Sequence, residues 1–402
     1  MKEGENMSVK VVTIGTRGFA TLYTRTLLDN LNDGKYEFVG VVDRNIDECV
    51  YADEFKANNI PIYKSIENFF KKNTADLVVI STPPQFHEEQ SVYCVEHGAN
   101  VLCEKPIAPD FERATNMIEA QKRTGKFIAI GYQHSYTTAI LNLKKDIADG
   151  VFGNPVLLKT IVLWPREWSY YNRGSRWAGK IKDENGKLIL DSVLSNAAAH
   201  FLHNMLYVLG EEHGKAALPK TVEAELLRAN DIENFDTSIV RIKTQNDAEL
   251  FMVSGHPVDD VINPVFEFKF EKAVITYRAN EESIIAKFND GTVKNYGEPL
   301  DDTVKVKHLW DCIDAVKSGT KLPCDVTTAT SHNIVINSLY ENVEIKDFPK
   351  DIVIQDIEKE RTYVEGLFSI LKKSYEEEKF LSELGYDWAE KTSYTVDEKY
   401  SL

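Results

Sequence analysis

The sequence predicts an α/β chain in two parts: a doubly wound parallel sheet at the N-terminus, then an α+β domain with a large, mostly antiparallel sheet. Two observations carry this. Over residues 9–130, short apolar runs alternate with helical stretches and tight turns, which implies parallel strands covered on both faces. Over residues 221–292, strand-like runs follow one another without long helices between them, which suggests antiparallel or mixed pairing. The chain has 402 residues, too many for one ordinary core. Domains of about 100–200 residues make two the natural count.

The first part is read in order. Residues 9–14 form a buried strand that runs into Gly15-Thr16-Arg17-Gly18, and a helix follows over 19–31. Residues 37–42 form a second strand ending at Asp43, and 75–81 a third, stopped by Thr82-Pro83-Pro84. A helix over 88–96 leads to a strand at 100–103, closed by Glu104-Lys105-Pro106. A helix at 110–123 and a strand at 127–130 complete the pattern. Beyond Gly131 the texture changes. A strand at 156–164 precedes an aromatic and arginine-rich loop, and 189–209 is predicted as one long helix. Strands are expected at 223–227, 237–242, 249–253, 267–270, 273–277 and 284–288, and helices at 307–317 and 327–342. The domains are therefore set at 1–130, 131–349 and a charged, helical C-terminal appendage at 350–402.

Composition excludes several classes. With 47 basic and 63 acidic residues the net charge is −16. That argues against nucleic acid and against an anionic membrane surface, both of which need basic patches. No stretch approaches the roughly 20 apolar residues of a membrane span. Cys49, Cys94, Cys103, Cys312 and Cys324 are scattered, with no zinc spacing, so no metal site is expected. Their odd number and a polar start without an apolar secretory segment fit a reducing, cytoplasmic location.

A strand, a glycine turn and a helix make an anion site, because backbone N–H groups and the helix dipole face a phosphate. Gly15, Arg17 in place of a middle glycine, and Ala20 partly meet the dinucleotide fingerprint, with Gly18 and Phe19 beside them. Asp43 stands at the end of the second strand, where a carboxylate accepts hydrogen bonds from an adenosine ribose. It would repel a 2′-phosphate, which favours NAD over NADP. Arg44 beside it could pair with that phosphate and keeps NADP open.

The run Thr82-Pro83 to His87, then Gly98, then Val101-Leu102-Cys103-Glu104-Lys105-Pro106 closely resembles the Gfo/Idh/MocA family of glucose–fructose oxidoreductases and inositol dehydrogenases. Gly131-Tyr132-Gln133-His134, Asn196 to His200, and Ser318-Gly319 follow in the same order. The resemblance spans residues 9–342. It implies a Rossmann domain that binds NAD or NADP, an open-faced sheet domain, and a sugar, inositol or related polyol as substrate. It also implies a homodimer or homotetramer formed through the second sheet. Thr82, Pro83, His87, Glu104 and Gln133 would then line the cofactor. The chain departs from the pattern at Asn196 and His203, where the family has aspartates, and at Ala198, where it has glycine.

Oxidising a secondary alcohol needs a hydride acceptor and a base. Lys105, just past a strand end, is placed to hydrogen-bond the substrate oxygen and exchange its proton. His200, with Asn196 four residues before it on the expected helix face, suits general acid–base work. Asn196 orients without supplying charge. His203 reads either as a replacement polar partner or as a pocket wall. The segment with Trp164, Arg166, Trp168, Tyr170, Tyr171, Arg173, Arg176 and Trp177 reads either as a substrate wall, with Trp168, Arg173 and Trp177 touching the sugar, or as a subunit interface. In the first case the substrate is expected between this segment and His200, over the nicotinamide. Two other activities fit the same fold: cofactor-assisted elimination or glycoside cleavage, and a non-catalytic dinucleotide sensor.

Overall fold

Parallel strands buried on both faces read as unbroken apolar runs, and Leu-Val-Val-Ile at residues 77–80, buried at all four positions, is such a run. The computed structural model describes residues 8–173, 177–280, 283–299 and 305–401. The chain forms two units, one of Met1–Ala108, Glu112–Tyr136 and Leu300–Ala329, the other of Pro109–Phe111, Thr137–Pro299 and Thr330–Leu402. Among the described residues no helix is long and apolar enough to cross a membrane.

The first unit holds β1 (Val9–Ile14), β2 (Tyr36–Val42), β3 (Ile62–Tyr63), β4 (Leu77–Ile80), β5 (Asn100–Cys103) and β6 (Ile128–Ile130). They pair in the order β3-β2-β1-β4-β5-β6, every pairing parallel. This is the doubly wound order in which the chain reverses direction across the sheet between β1 and β4. Ligands bind at the carboxyl ends of the strands at such a point. One late helix, Lys307–Ser318, belongs to this unit and not to the C-terminal sheet. Its Trp310 ring meets Tyr36, and its His308 ring meets Tyr23 and Tyr136.

The second unit holds β7 (Pro155–Leu163), β8 (Pro219–Arg228), β9 (Thr237–Thr244), β10 (Glu249–Gly255), β11 (Ile262–Phe270), β12 (Ala273–Arg278), β13 (Ile284–Phe288), β14 (Val293–Gly297), β15 (Ile345–Asp347), β16 (Val353–Asp356), β17 (Arg361–Val364) and β18 (Thr392–Thr395). The ten-stranded sheet runs β14-β13-β12-β11-β7-β10-β9-β8-β15, with β18 antiparallel on β8. Only β7–β10 and β8–β15 are parallel among these pairings. Alternate residues feed two cores. Leu158, Leu250, Met252 and Phe268 pack with Leu143, Leu202, Met205 and Val335 of the helices on one face. Leu157, Ile161, Phe251 and Val253 point to the other face and meet Leu367, Leu371, Phe380 and Leu381.

Residues 350–402 therefore are not a helical appendage. They fold as the β16–β17 hairpin, a helix Leu367–Glu377 and β18, and they cover the second face of the sheet. Charges on that face are matched to the covering. Glu225, 1% exposed, accepts hydrogen bonds from Leu381 N at 2.8 Å, Ser382 N at 3.0 Å and Ser382 Oγ at 2.6 Å. Buried Lys159 pairs with Glu378 at 3.0 Å.

Each buried Leu or Phe contributes about 1.5–3 kcal/mol. Truncation after Glu365 removes four of them, strips the donors from Glu225, and is expected to cost ~5 kcal/mol or more. The shortened chain should self-associate or precipitate in light-scattering chromatography. A soluble truncated protein with an unchanged denaturation midpoint would show that the segment is dispensable.

Candidate functional site

At the carboxyl end of β1 the chain turns at Gly15 with φ of +92°. A Cβ there would stand 2.4 Å from the Ser81 carbonyl oxygen, so only glycine lets the β1 and β4 turns approach this closely. Gly18 also has positive φ. The helix Ala20–Asp29 then begins behind Phe19, with no side-chain cap and no acidic residue in its first turn. The amides of Ala20, Thr21 and Leu22 donate back to the carbonyls of Arg17, Gly18 and Phe19, so an anion here meets the loop amides before them and the positive helix end. Phe19 is exposed at this mouth. Arg17, at the place of the missing middle glycine, turns its side chain out to an ion pair with Glu48.

Asp43 stands at the end of β2 and closes the other side of the loop. Its carboxylate accepts from Thr16 Oγ1 at 2.6 Å and from Asn45 N at 2.8 Å. Arg44 is exposed beside it. After β4, Thr82 Oγ1 donates to Gln90 at 2.7 Å, and Pro83 starts the turn into the helix His87–Glu96. His87 is buried between the carbonyl oxygens of Thr82 and Pro106, 2.8 Å from each. Burial lowers its pKa while the facing carbonyls favour the protonated ring, and the ring bridges the β4 turn and the β5 turn. These features fit a dinucleotide, with the pyrophosphate on the β1 turn and a ribose at Asp43.

The β5 turn carries Glu104 and Lys105, followed by a cis peptide to Pro106. Lys105 is partly exposed and Glu104 is buried. The Glu104 carboxylate accepts from the Lys105 amide at 3.2 Å and from the Tyr23 hydroxyl at 2.5 Å. Gly131, after β6, makes room for it: a Cβ there would lie 2.8 Å from Glu104 Oε1. Tyr23 in turn meets His308 Nε2 at 2.5 Å. When Tyr23 donates to the carboxylate, His308 must carry its proton on Nε2 and donate to the tyrosine oxygen. Burial holds the His308 pKa at about 3, so the ring is neutral. Burial also pushes the Glu104 carboxyl up to about 7, while the Tyr23 bond and the Lys105 charge hold it lower than it would otherwise be. Gln133 is partly exposed just beyond β6. Neither Tyr23 nor His308 was found from the sequence, where no spacing connects two residues so far apart.

In the second unit the predicted helix at 189–209 is broken. Ser192 and Ser195 form a reciprocal cap, Val193–Ala197 is a π-helical turn, and the α-helix is Ala199–Val208. Asn196 is buried in the π turn and partly exposed His200 lies in the helix beyond Ala198, so the two are not successive turns of one regular helix. π turns recur at functional sites. His203 is fully buried, with its ring stacked on Tyr207 at 5.7 Å, which places it in the helix core.

The aromatic segment is ordered by stacking and by anchors. Trp168 donates from Nε1 to Thr362 at 3.0 Å, which ties it to β17. Arg173 lies over the rings of Tyr170 and Trp177, and Arg166 over those of Tyr170 and Trp164. Arg176 lies outside the described residues. Beside this ladder a crevice is lined by Tyr170, Tyr171, Asp191, Ser192 and His256, among others. Among the described residues no group of three His, Cys, Asp or Glu side chains is placed to hold a metal ion.

Residues 9–132 match the oxidoreductase family with an NAD-binding Rossmann fold, Gfo/Idh/MocA. The chain is similar to the inositol 2-dehydrogenase of Klebsiella pneumoniae (strain 342), 23% identical over 351 residues that cover 80% of this chain and 97% of the relative. Its fold is similar to that of the WlbA dehydrogenase from Bordetella pertussis, solved with NADH and UDP-GlcNAcA: TM-score 0.67, 18% identity, 83% of this chain and 96% of the other. An oxidoreductase from Agrobacterium radiobacter solved with NAD+, L-tartaric acid and magnesium gives a TM-score of 0.68 at 15% identity, covering 83% and 96%.

Because the folded Glu104 carboxyl titrates at about 7 against an ordinary 4.5, the unfolded chain releases that proton first as pH rises. Glu104 therefore makes stability fall between those two values. Glu104→Gln should gain stability relative to wild type as pH increases across that window, measured by urea unfolding. Tyr23→Phe should move the Glu104 carboxyl titration, followed by 13C NMR, to still higher pH. A downward move would show that Tyr23 does not stabilise the carboxylate.

Proposed function

We propose that the chain, whose residues 9–132 match the Gfo/Idh/MocA oxidoreductase family, works as a member of it and transfers a hydride between NAD and a secondary alcohol of a sugar, inositol or related polyol. The observation that carries this reading is the turn after β5. There a partly exposed lysine follows a buried carboxylate at the carboxyl edge of a parallel sheet, one strand from the β1–β4 switch point. When bound, the nicotinamide supplies the hydride acceptor or donor.

The residues supply the rest. The β1 turn and the uncapped helix end bind the pyrophosphate. Asp43 accepts from the adenosine ribose, and its negative charge disfavours a 2′-phosphate. Glu104 and His87 hold the β5 turn in place. Lys105 hydrogen-bonds the substrate oxygen through Nζ and takes up or returns the hydroxyl proton. His200 is the second acid–base group, oriented by Asn196. Trp168, Arg173 and Trp177 contribute to the substrate wall. The sugar-like substrate class is supported by the inositol dehydrogenase among the relatives.

Lys105→Ala is expected to reduce turnover about 10²–10⁴-fold, with the NADH dissociation constant changed by no more than a few-fold. Stopped-flow absorbance at the nicotinamide band and fluorescence titration read the two quantities separately. Near-wild-type turnover would remove Lys105 from the chemistry. NADH should bind more tightly than NADPH, and Asp43→Asn should narrow the difference by relieving the repulsion. Tighter NADPH binding by the wild-type protein would overturn the cofactor assignment.

A further inference from the structure

The chain carries 63 acidic against 47 basic side chains, and arginines in such a chain find acids easily. Arg17, Arg25, Arg123, Arg228, Arg241 and Arg361 each have a carboxylate within ion-pair distance. Arg166 and Arg173 form no ion pair among the described residues. Both guanidiniums instead stand against one ring, 4.7 and 4.2 Å from the centre of Tyr170, and Arg166 lies 5.6 Å from the centre of Trp164 and Arg173 5.3 Å from that of Trp177.

Stacking uses the faces of a guanidinium and leaves its edge N–H groups available. At Arg166 this has a cost, because its Nε is buried without a hydrogen-bond partner. A buried unsatisfied donor in a native protein is an open hydrogen-bonding position that a water or a bound group can fill. The charge of Arg166 is felt nearby: it helps burial hold His256 neutral, with a pKa of about 3. Asp191 acts on both Tyr170 and Tyr171 and Asp236 on Tyr171; their carboxylates accept from the amides of Gly179 at 2.6 Å and Asn230 at 2.9 Å. Two guanidiniums held against one ring, neither spent on a carboxylate of the described residues, offer fork donors that match a planar anion with two oxygens.

We propose that Arg166 and Arg173 recognise a carboxylate, so that the substrate is a polyhydroxy acid, an aldonate or uronate, and not a neutral sugar or inositol. This rests on reading the 164–177 segment as the substrate wall. The hydride leaves the carbinol carbon as in any secondary alcohol oxidation, and the carboxylate only positions it.

The test compares NAD+ reduction with gluconate, glucuronate, myo-inositol, glucose and glucose 6-phosphate on the full chain. Expected is a kcat/KM for an acid at least tenfold above its neutral counterpart and above the phosphate ester. Arg173 is exposed, so Arg173→Gln should fold normally. That variant and Arg166→Gln should each lower the acid-to-neutral ratio about 10- to 100-fold, mainly through KM, with NADH affinity unchanged. Arg166→Lys should recover only part of the loss, since it keeps charge without the fork. Preference for a neutral polyol or the phosphate ester, or a ratio the variants do not alter, overturns the carboxylate assignment and leaves the dehydrogenase reading standing. That reading falls separately, if Lys105→Ala leaves turnover intact. Variants that change oligomeric state but not selectivity would make the segment an interface and end the proposal.

Discussion

A sheet that is apolar on both faces must be covered twice, and both units of this chain are organised by that requirement. In the first unit, helices take both faces of the parallel sheet, and polar groups are confined to the strand ends. β4 is buried at every position, so Ser81, Thr82 and Pro83 are its first residues free to meet a ligand. In the second unit, helices cover one face and the C-terminal segment covers the other. Burying charge is expensive unless each group is hydrogen-bonded. The pairing of Glu225 with the amides of Leu381 and Ser382, and of Lys159 with Glu378, shows that sheet and cover are matched.

Confinement to the strand ends also explains how the candidate catalytic turn is held. The carboxyl edge is narrow, and Glu104 points back into the sheet's end where water does not reach it. That burial would leave a carboxylate unsupported without Tyr23 and the Lys105 amide as donors. Gly131 has no Cβ because Glu104 fills that space. The helix Lys307–Ser318 supplies His308 behind Tyr23. A partly exposed lysine is thus anchored through its own backbone to a buried network.

What was legible in the sequence was local. Apolar runs at β1, β2, β4 and β5, and the turn residues after them, were enough to place Gly15, Asp43, Thr82, Glu104 and Lys105 at strand ends. The two-residue β3 and the polar edge strand β14 carry too little hydrophobic pattern to be found this way. The second cover was also hidden. A strand buried on both faces looks the same whether its partner is a helix nearby or a segment far along the chain, so the role of residues 350–402 could not be read from spacing. The π turn at Val193–Ala197 escaped for a related reason. It adds one residue to an otherwise helical pattern, and the apolar period tolerates that slip while the Asn196–His200 register does not.

The phosphate loop shows how a departure from a motif can leave the geometry it encodes intact. Glycine is needed where the backbone has positive φ or touches another chain segment. Gly15 meets both conditions and Gly18 the first. Position 17 does not have positive φ, and the Arg17 side chain leaves the loop for Glu48 on the surface. The loop's backbone N–H groups and the positive end of the helix Ala20–Asp29 keep their direction whatever side chain stands at 17, and they are what an anion binds. The missing middle glycine therefore alters the rim of the loop and its surface charge, while the backbone cradle that recognises a pyrophosphate is retained.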